Sequence, residues 1–400
     1  MLIISIFILN EIPRMLILNK VINNQSNIWM VNILFLISSV LLLIDYSKKR
    51  KLNIKIIYII SIITILLFVN NLFGDITKNT FVLFVINVII PLTLVGIKLD
   101  NINGLTKIFV KMFNVVIVLL TIYGIIDYFT SGALQLFIAN NLAYGEFKLL
   151  IYEEHGLIYR MYSFFGHPLY NAKLYLIFFT VNKVYNKYYN NLYSDYVLVI
   201  ITLIGLTLSG SKTALILACI LFIFCSGVKK RKWLYYIFMF IFLITIFNTS
   251  MFKNNLLERF RIGIEYNNLS SGRNDVLKEV VRLGFKPNWV VSGGNGYSRQ
   301  ITANTMIGAI NFEYPAIMLA FDYGIIETGL IYYIIFIYPT IVFVKKRNFF
   351  ILFNYLALFL YVNSNNGLAN LGSDSIAAFC FMTMLFVNIA EKEIEISVDS

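Results

Sequence analysis

The sequence predicts an all-α integral membrane protein, a polytopic bundle of about 11–12 transmembrane helices with one large external loop. Three observations predict it. Hydrophobic residues make up 59% of the 400 residues and charged residues only 14%, where a soluble domain carries about 25% charged residues; the mean hydropathy is +0.76. Apolar runs fill most of residues 28–250 and 315–389, and a spanning helix needs about 20 mostly apolar residues. The basic residues sit in short clusters between those runs, which is the pattern of topology signals. Residues 1–400 therefore read as a single polytopic membrane domain, despite a length that would suit several soluble ones.

In chain order the apolar runs predict spans over 28–44, 54–69, 81–97, 108–129, 168–181, 193–208, 213–226, 233–247, 316–344, 349–362 and 374–389. Several are short, so tilt or bilayer thinning is expected. Segment 2–21 is a twelfth candidate, interrupted by Asn10, Glu11, Pro13 and Arg14. Its apolar start lacks a small-residue cleavage site, so no cleavable signal peptide is expected. The basic clusters at Lys48–Lys51, Lys98 and Lys107, Lys183 and Lys187, Lys229–Lys232, and Lys345–Arg347 fall on alternate sides of successive spans. All five can then be cytoplasmic together with the C-terminal tail, which leaves 130–167, 209–212, 251–313 and 363–373 outside.

The segment 251–313 is the large extracytoplasmic loop, too polar and glycine-rich for lipid. It carries Lys253, Arg259, Arg261, Arg273, Lys278, Arg282, Lys286 and Arg299. Long loops translocate largely regardless of charge, so these residues are not topology signals, and an anionic ligand at the membrane surface explains them. A nucleic-acid partner is rejected despite the net charge of +12, because the other basic residues are topology clusters. The three cysteines, Cys219, Cys225 and Cys380, lie in apolar runs without metal-ligand or disulfide spacing and read as small buried residues. No metal site, nucleophile triad or nucleotide motif is present, and no cofactor is expected.

Within the loop, Val276, Leu277, Val280 and Val281 make one helical face. Ser271 can cap the start of that helix, and Gly284 and Pro287 can stop it. Arg273 then lies in the first turn, beside free backbone N–H groups, an arrangement suited to phosphate; a solvated surface helix with an idle arginine is the alternative. Gly293, Gly294 and Gly296 permit a tight turn that shapes a cleft. Ser211 and Lys212 join two spans, where the lysine can hold a lipid pyrophosphate as a point charge or simply snorkel. Of the two histidines, His167 stands at the entry to a span, close after Arg160. Glu313, Asp322 and Glu327 lie near or within the next span, and acids there are costly and often functional.

Taken together and in order, these pieces resemble the O-antigen polymerase and ligase superfamily, the Wzy-like bacterial polysaccharide polymerases. The resemblance covers residues from about 155 to 345. It rests on Arg160 with Gly166, His167 and Pro168; on Leu208 to Leu215; on Ser271, Gly272, Arg273 and Leu277; on Gly293, Gly294 and Gly296; and on Glu313 and Tyr314 followed by Asp322 to Ile326. It implies metal-independent glycosyl transfer at the external face of the bacterial cytoplasmic (inner) membrane. The donor would be an oligosaccharide on a polyprenyl pyrophosphate, and the acceptor a sugar hydroxyl. Arg273, Glu313 and His167 are then the catalytic candidates. Arg160, Ser211, Lys212, Arg282, Gly294, Gly296 and Asp322 are the substrate-binding candidates. The lipid bilayer, a flippase and a chain-length regulator would be the further partners.

One departure matters. The ligase branch carries a His-Asn type motif at the end of the long loop, where this chain reads Ile310, Asn311, Phe312, Glu313 and Tyr314. Glu313 then stands in as base or acceptor-orienting group, which favours polymerase over ligase. A lipid-linked oligosaccharide flippase is the rival from another class. It would place charges deep in several spans, where this sequence shows few.

Overall fold

The computed structural model describes residues 1–10, 13, 14, 17, 31–73, 78–142, 145–154, 159–225, 232–265, 272–305, 313–371 and 374–398. Ser271, Ile310–Phe312, most of 2–21 beyond Asn10, and Lys229–Arg231 lie outside them. The described residues form helices α1 (Leu2–Phe7), α2 (Ile33–Lys48), α3 (Ile54–Phe73), and α4 (Lys78–Phe84), which runs through a π turn into α5 (Ile90–Leu94). There follow α6 (Ile102–Phe129), α7 (Ala133–Asn141), α8 (Gly145–Glu154), α9 (Pro168–Tyr188), α10 (Asp195–Ser209), α11 (Lys212–Phe224) and α12 (Lys232–Asn248). Next come α13 (Ser250–Phe252), a π turn, α14 (Glu258–Glu265), α15 (Arg273–Arg282) and α16 (Tyr297–Ala303). The chain ends with α17 (Pro315–Tyr323), α18 (Ile325–Tyr332), a π turn, α19 (Tyr338–Lys345), α20 (Phe349–Val362) and α21 (Ser375–Val398).

Helix starts follow from local chemistry. Asn32, Asn101, Ser194, Ser211 and Asn348 each accept an N–H from the first turn of the helix that follows, satisfying a donor the helix cannot. Pro168 and Pro315 occupy first positions, where no N–H is needed.

Among the described residues, four helical stretches, Ile54–Phe73, Ile102–Phe129, Ile325–Lys345 and Ser375–Lys392, are long and apolar enough to cross a membrane. A fifth arises if the pair Trp233–Asn248 and Ser250–Glu265, bent by 69°, counts as one span. The helices Phe81–Leu94, Asp195–Ser209, Lys212–Phe224 and Phe349–Val362 are apolar but shorter; at 1.5 Å per residue a 15-residue helix reaches only about 22 Å.

Two helices form the centre. Asn171–Tyr185 of α9 and Ser375–Ala390 of α21 are buried at every position, as a helix enclosed on all sides must be. Around them α3, α12 and α20 turn large apolar side chains outward, among them Tyr58, Phe68, Phe240 and Phe353.

The ends of the helices gather into two groups of connections. At one end Lys183 pairs with Asp195 at 2.6 Å, the Lys98 N–H donates to the Lys51 carbonyl at 2.9 Å, and the Tyr188 hydroxyl donates to Asn348 at 2.8 Å. At the other, the Met161 N–H donates to the Leu208 carbonyl at 2.9 Å, Asn255 to Thr207 at 2.8 Å, and Arg273 to Ser364 at 2.7 Å. The first group lies at the connections that carry the clusters at Lys48–Lys51, Lys98, Lys183 and Lys187, and Lys345–Arg347. The second joins 130–167, 209–212, 251–313 and 363–373, the four expected on the opposite side.

One expectation needs correction. The run 316–344 is not one continuous helix. Gly324, at φ +98° and ψ 160°, separates α17 from α18, and the Asn288 and Trp289 carbonyls accept the N–H groups of Ile325 and Ile326 at 2.9 and 3.1 Å. Several charged side chains are nevertheless buried in the protein, most of them at helix ends. Arg14, Asp127, Lys173, Lys183, Asp322, Glu327 and Asp374 are all buried. Each meets a polar partner, as with Arg14 on Asp374 at 2.6 Å, Lys173 on Ser375 at 2.8 Å and Asn70 on Glu327 at 3.1 Å. Hydropathy averages over a window, so a single charge in an apolar run escapes it.

Candidate functional site

Segment 159–167 is an ordered turn in which Met161, Tyr162, Ser163 and Gly166 are buried and Phe164 is exposed. Ser163 and Gly166 exchange backbone hydrogen bonds at 3.2 and 2.9 Å. Asn171, one turn into α9, donates to the Met161 carbonyl at 2.7 Å, and Tyr159 donates to Asp127 at 2.8 Å. This fixes Arg160 and His167 at the mouth of α9. The Nδ1 of His167 accepts the Leu169 N–H at 3.1 Å, so the imidazole caps α9 with its lone pair and keeps its hydrogen on Nε2. Burial, then Arg160 and then Arg259 push its pKa down to about 3. A ring held neutral in this way can donate from Nε2 and is a poor proton acceptor.

The turn between α10 and α11 brings the second group. Gly210 closes α10 with φ +64°, and Ser211 caps α11. The long loop is fastened to this turn. Asn255 donates to the Thr207 carbonyl at 2.8 Å, and Arg259, one helical turn further on, donates to the Gly210 carbonyl. Both satisfy carbonyls that the end of α10 leaves over. A Cβ at Gly210 would collide with the Asn255 side chain, so glycine is required there by space as well as by φ. Lys212 opens α11. Burial, then Arg259 and Arg273, lower its pKa.

Arg273 is the first residue of α15. The N-cap is Gly272 in left-handed conformation. Its Nε and Nη2 donate to the same carboxylate oxygen of Glu313, and its Nη1 donates to the Ser364 carbonyl at 2.7 Å. Tyr314 adds a hydrogen bond to Asn274. Glu313 has φ +53°, a conformation that costs a non-glycine residue about 1–3 kcal/mol and is held only where the surroundings impose it. Among the described residues Arg273 alone engages Glu313, at Oε2, which leaves Oε1 open to a hydroxyl.

These groups converge. The Tyr361 hydroxyl, near the end of α20, donates to the Leu169 carbonyl at 2.7 Å. It interacts with Ser211 and lies within electrostatic range of Arg160, Arg273 and Arg259. Arg160, Arg259 and Arg273 therefore lie within electrostatic range of the end of α20, Lys212 within range of the last two, and His167 within range of the first two, with Arg273 paired to Glu313. Four cations against the one carboxylate of Glu313 leave a net positive cluster, complementary to a multiply charged anion.

The remaining candidates are placed differently. Gly294 and Gly296, at φ +82° and +86°, wrap the backbone around Asp322. Its carboxylate accepts the Ser298 N–H at 2.7 Å and the Gly296 N–H at 3.3 Å, and its carbonyl accepts the Gly294 N–H at 2.9 Å. This cluster builds the start of α16 and spends both carboxylate oxygens on the backbone. Arg282 is exposed on the last turn of α15, where Glu279 engages it at 2.7 Å, and no contact among the described residues brings it to the cations. Sequence reading counted Arg259 only among the loop's basic residues, and gave no role to Asn255, Tyr361 or Ser364. The one available signal was the four-residue spacing of Asn255 and Arg259, which puts both on one face of a helix.

No family model, curated protein or solved structure matches the chain.

Proposed function

We propose that this chain is a multi-pass protein of the bacterial cytoplasmic membrane that polymerises a cell-surface polysaccharide. In this reading the shorter apolar helices also span, giving the bundle of about 11–12 helices, with the second group of connections outside. The supporting observation is the meeting of Arg160, Lys212, Arg259 and Arg273 from three connections that sequence reading had placed on the same external side. The resemblance to Wzy-like polymerases supplies the chemistry.

The hydroxyl oxygen of the acceptor sugar attacks the anomeric carbon of the donor and forms the new glycosidic bond. The bond from that carbon to the lipid pyrophosphate oxygen breaks, and the electron pair leaves with the pyrophosphate. Arg273, Lys212 and the neighbouring arginines stabilise the charge that develops there. The acceptor proton passes to Glu313 Oε1, within reach because Arg273 occupies only Oε2.

The test is reconstitution of purified protein in proteoliposomes with purified lipid-linked repeat units presented on the Arg273 side. Products longer than one repeat are expected, with release of one lipid pyrophosphate per bond. A lipid-linked oligosaccharide flippase is the second reading, favoured by the buried charges at Arg14, Lys173, Glu327 and Asp374. Movement of intact repeat units across the bilayer with no bond formed would establish it instead.

A further inference from the structure

The C-terminal turn of α15 and the segment after it expose an unusual combination of side chains. Val281 is 66% exposed, Leu283 44% and Trp289 69%, with Arg282 and Lys286 exposed between them. Gly284, at φ +80°, ends the helix, and the Phe285 N–H returns to the Val280 carbonyl at 3.2 Å. The chain then runs to Asn288 and Trp289, whose carbonyls hold the first two residues of α18 at 2.9 and 3.1 Å. Those residues begin Ile325–Lys345, a stretch apolar enough to cross a membrane, and Ile326 is itself exposed. Trp289 therefore sits level with the end of a candidate span and continuous with its outward apolar face. Indole at that depth, bordered by basic side chains, is the composition of an interfacial anchor.

We propose that residues 281–290 dock on the outer surface of the bilayer, with Val281, Leu283 and Trp289 in the headgroup–acyl boundary and Lys278 and Lys286 on anionic lipid headgroups. The inference rests on the membrane reading above. Its charge argument is that Lys278, Arg282 and Lys286 outnumber Asp275 and Glu279 in 275–290, with Lys278 only 3.8 Å from Asp275 and Arg282 engaged by Glu279, and each basic residue near an anionic leaflet strengthens attachment about fivefold. The anchor would hold α15, and with it Arg273, at headgroup height, where a lipid pyrophosphate lies.

The experiment uses full-length protein in nanodiscs of phosphatidylcholine alone or mixed with phosphatidylglycerol, both carrying lipid brominated near the headgroup end of the acyl chain. Trp29→Phe with Trp233→Phe leaves Trp289 as the one indole. Its fluorescence should be quenched by the brominated lipid, more strongly in the anionic mixture, and Lys278→Gln with Lys286→Gln should abolish that difference. Equal quenching in the two lipids would overturn the anionic assignment. A second protein, Trp29→Phe with Trp289→Phe, reports Trp233 at the start of α12. If Trp233 is quenched by lipid while Trp289 is quenched only by aqueous acrylamide, lipid docking is overturned and the patch falls to a protein partner. If neither is quenched by lipid, the membrane reading itself fails and takes this inference with it.

Discussion

Arg273 is held at three nitrogens before any substrate arrives, by Glu313 on one side and the Ser364 carbonyl on another. Its guanidinium is thus preorganised, and loss of one such donor typically costs about 10²–10³ in rate. Arg273→Ala should leave normal amounts of protein in the membrane and stop glycan at one repeat unit. Arg273→Lys should recover only part of the activity, since lysine lacks the planar fork. Chain lengths on a gel read both, and normal chains in the alanine variant would remove Arg273 from the mechanism. For the proton, Glu313→Gln is expected to be slow and His167→Asn to keep most activity, because asparagine can still cap α9. A dead His167→Asn at wild-type membrane level, beside a fully active Glu313→Gln, would pass the role of base to His167. The pH dependence has a definite sign. The His167 pKa falls from 6.5 in the unfolded chain to about 3 in the folded one. The unfolded state therefore takes up a proton that the folded state does not, and stability is lost as pH falls from 6.5 toward 3. Thermal unfolding from pH 7.5 to 5 should show a smaller decline in His167→Asn.

At the scale of elements, two glycines carry the joins that make the site. Gly210 accommodates Asn255 against the end of α10, and Gly324 lets the Val290 carbonyl approach to 2.8 Å from where a Cβ would stand. Gly210→Ala should unfasten the first part of the long loop, losing activity while α10 and α11 persist. Gly324→Ala should cost about 1–3 kcal/mol from backbone strain alone and free the Asn288–Val290 segment, read as faster amide exchange at Ile325 and Ile326. Neither join was legible in the sequence. Helix ends were, because capping residues and apolar runs are local: the expected run 349–362 is α20, and the expected 168 start is that of α9. The Gly324 break escaped because its partners lie more than 30 residues upstream, at Asn288 and Trp289. Arg259 escaped because its acceptor is a backbone carbonyl, which leaves no mark in the sequence. The predicted first-turn position of Arg273 is correct, yet its contact with Glu313 crosses 40 positions, beyond any periodicity.

For the whole molecule, the alternation of basic clusters assigns each connection to a side, and labelling tests that assignment. Asn254 is exposed on the π turn that precedes α14. In a chain with Cys219, Cys225 and Cys380 replaced, Asn254→Cys should react with an impermeant maleimide in intact cells. Labelling seen only after lysis would invert the orientation and end the external reaction. A cysteine at Glu391 should show the opposite pattern.

The bond from Arg273 to the Ser364 carbonyl spans 91 residues, and this has a consequence for biosynthesis. Synthesis proceeds at about 5–20 residues per second, so the ribosome works for roughly 5–20 seconds between the two residues. During that interval α15 has left the ribosome while α18, α19 and α20 are still being made, and Arg273 has no final anchor. A nascent chain arrested before Ser364 should therefore leave residues 272–282 open to protease, and one arrested well beyond it should protect them. On the proposed function, the Arg273 site would then be completed late in synthesis, after most of the spans have been made.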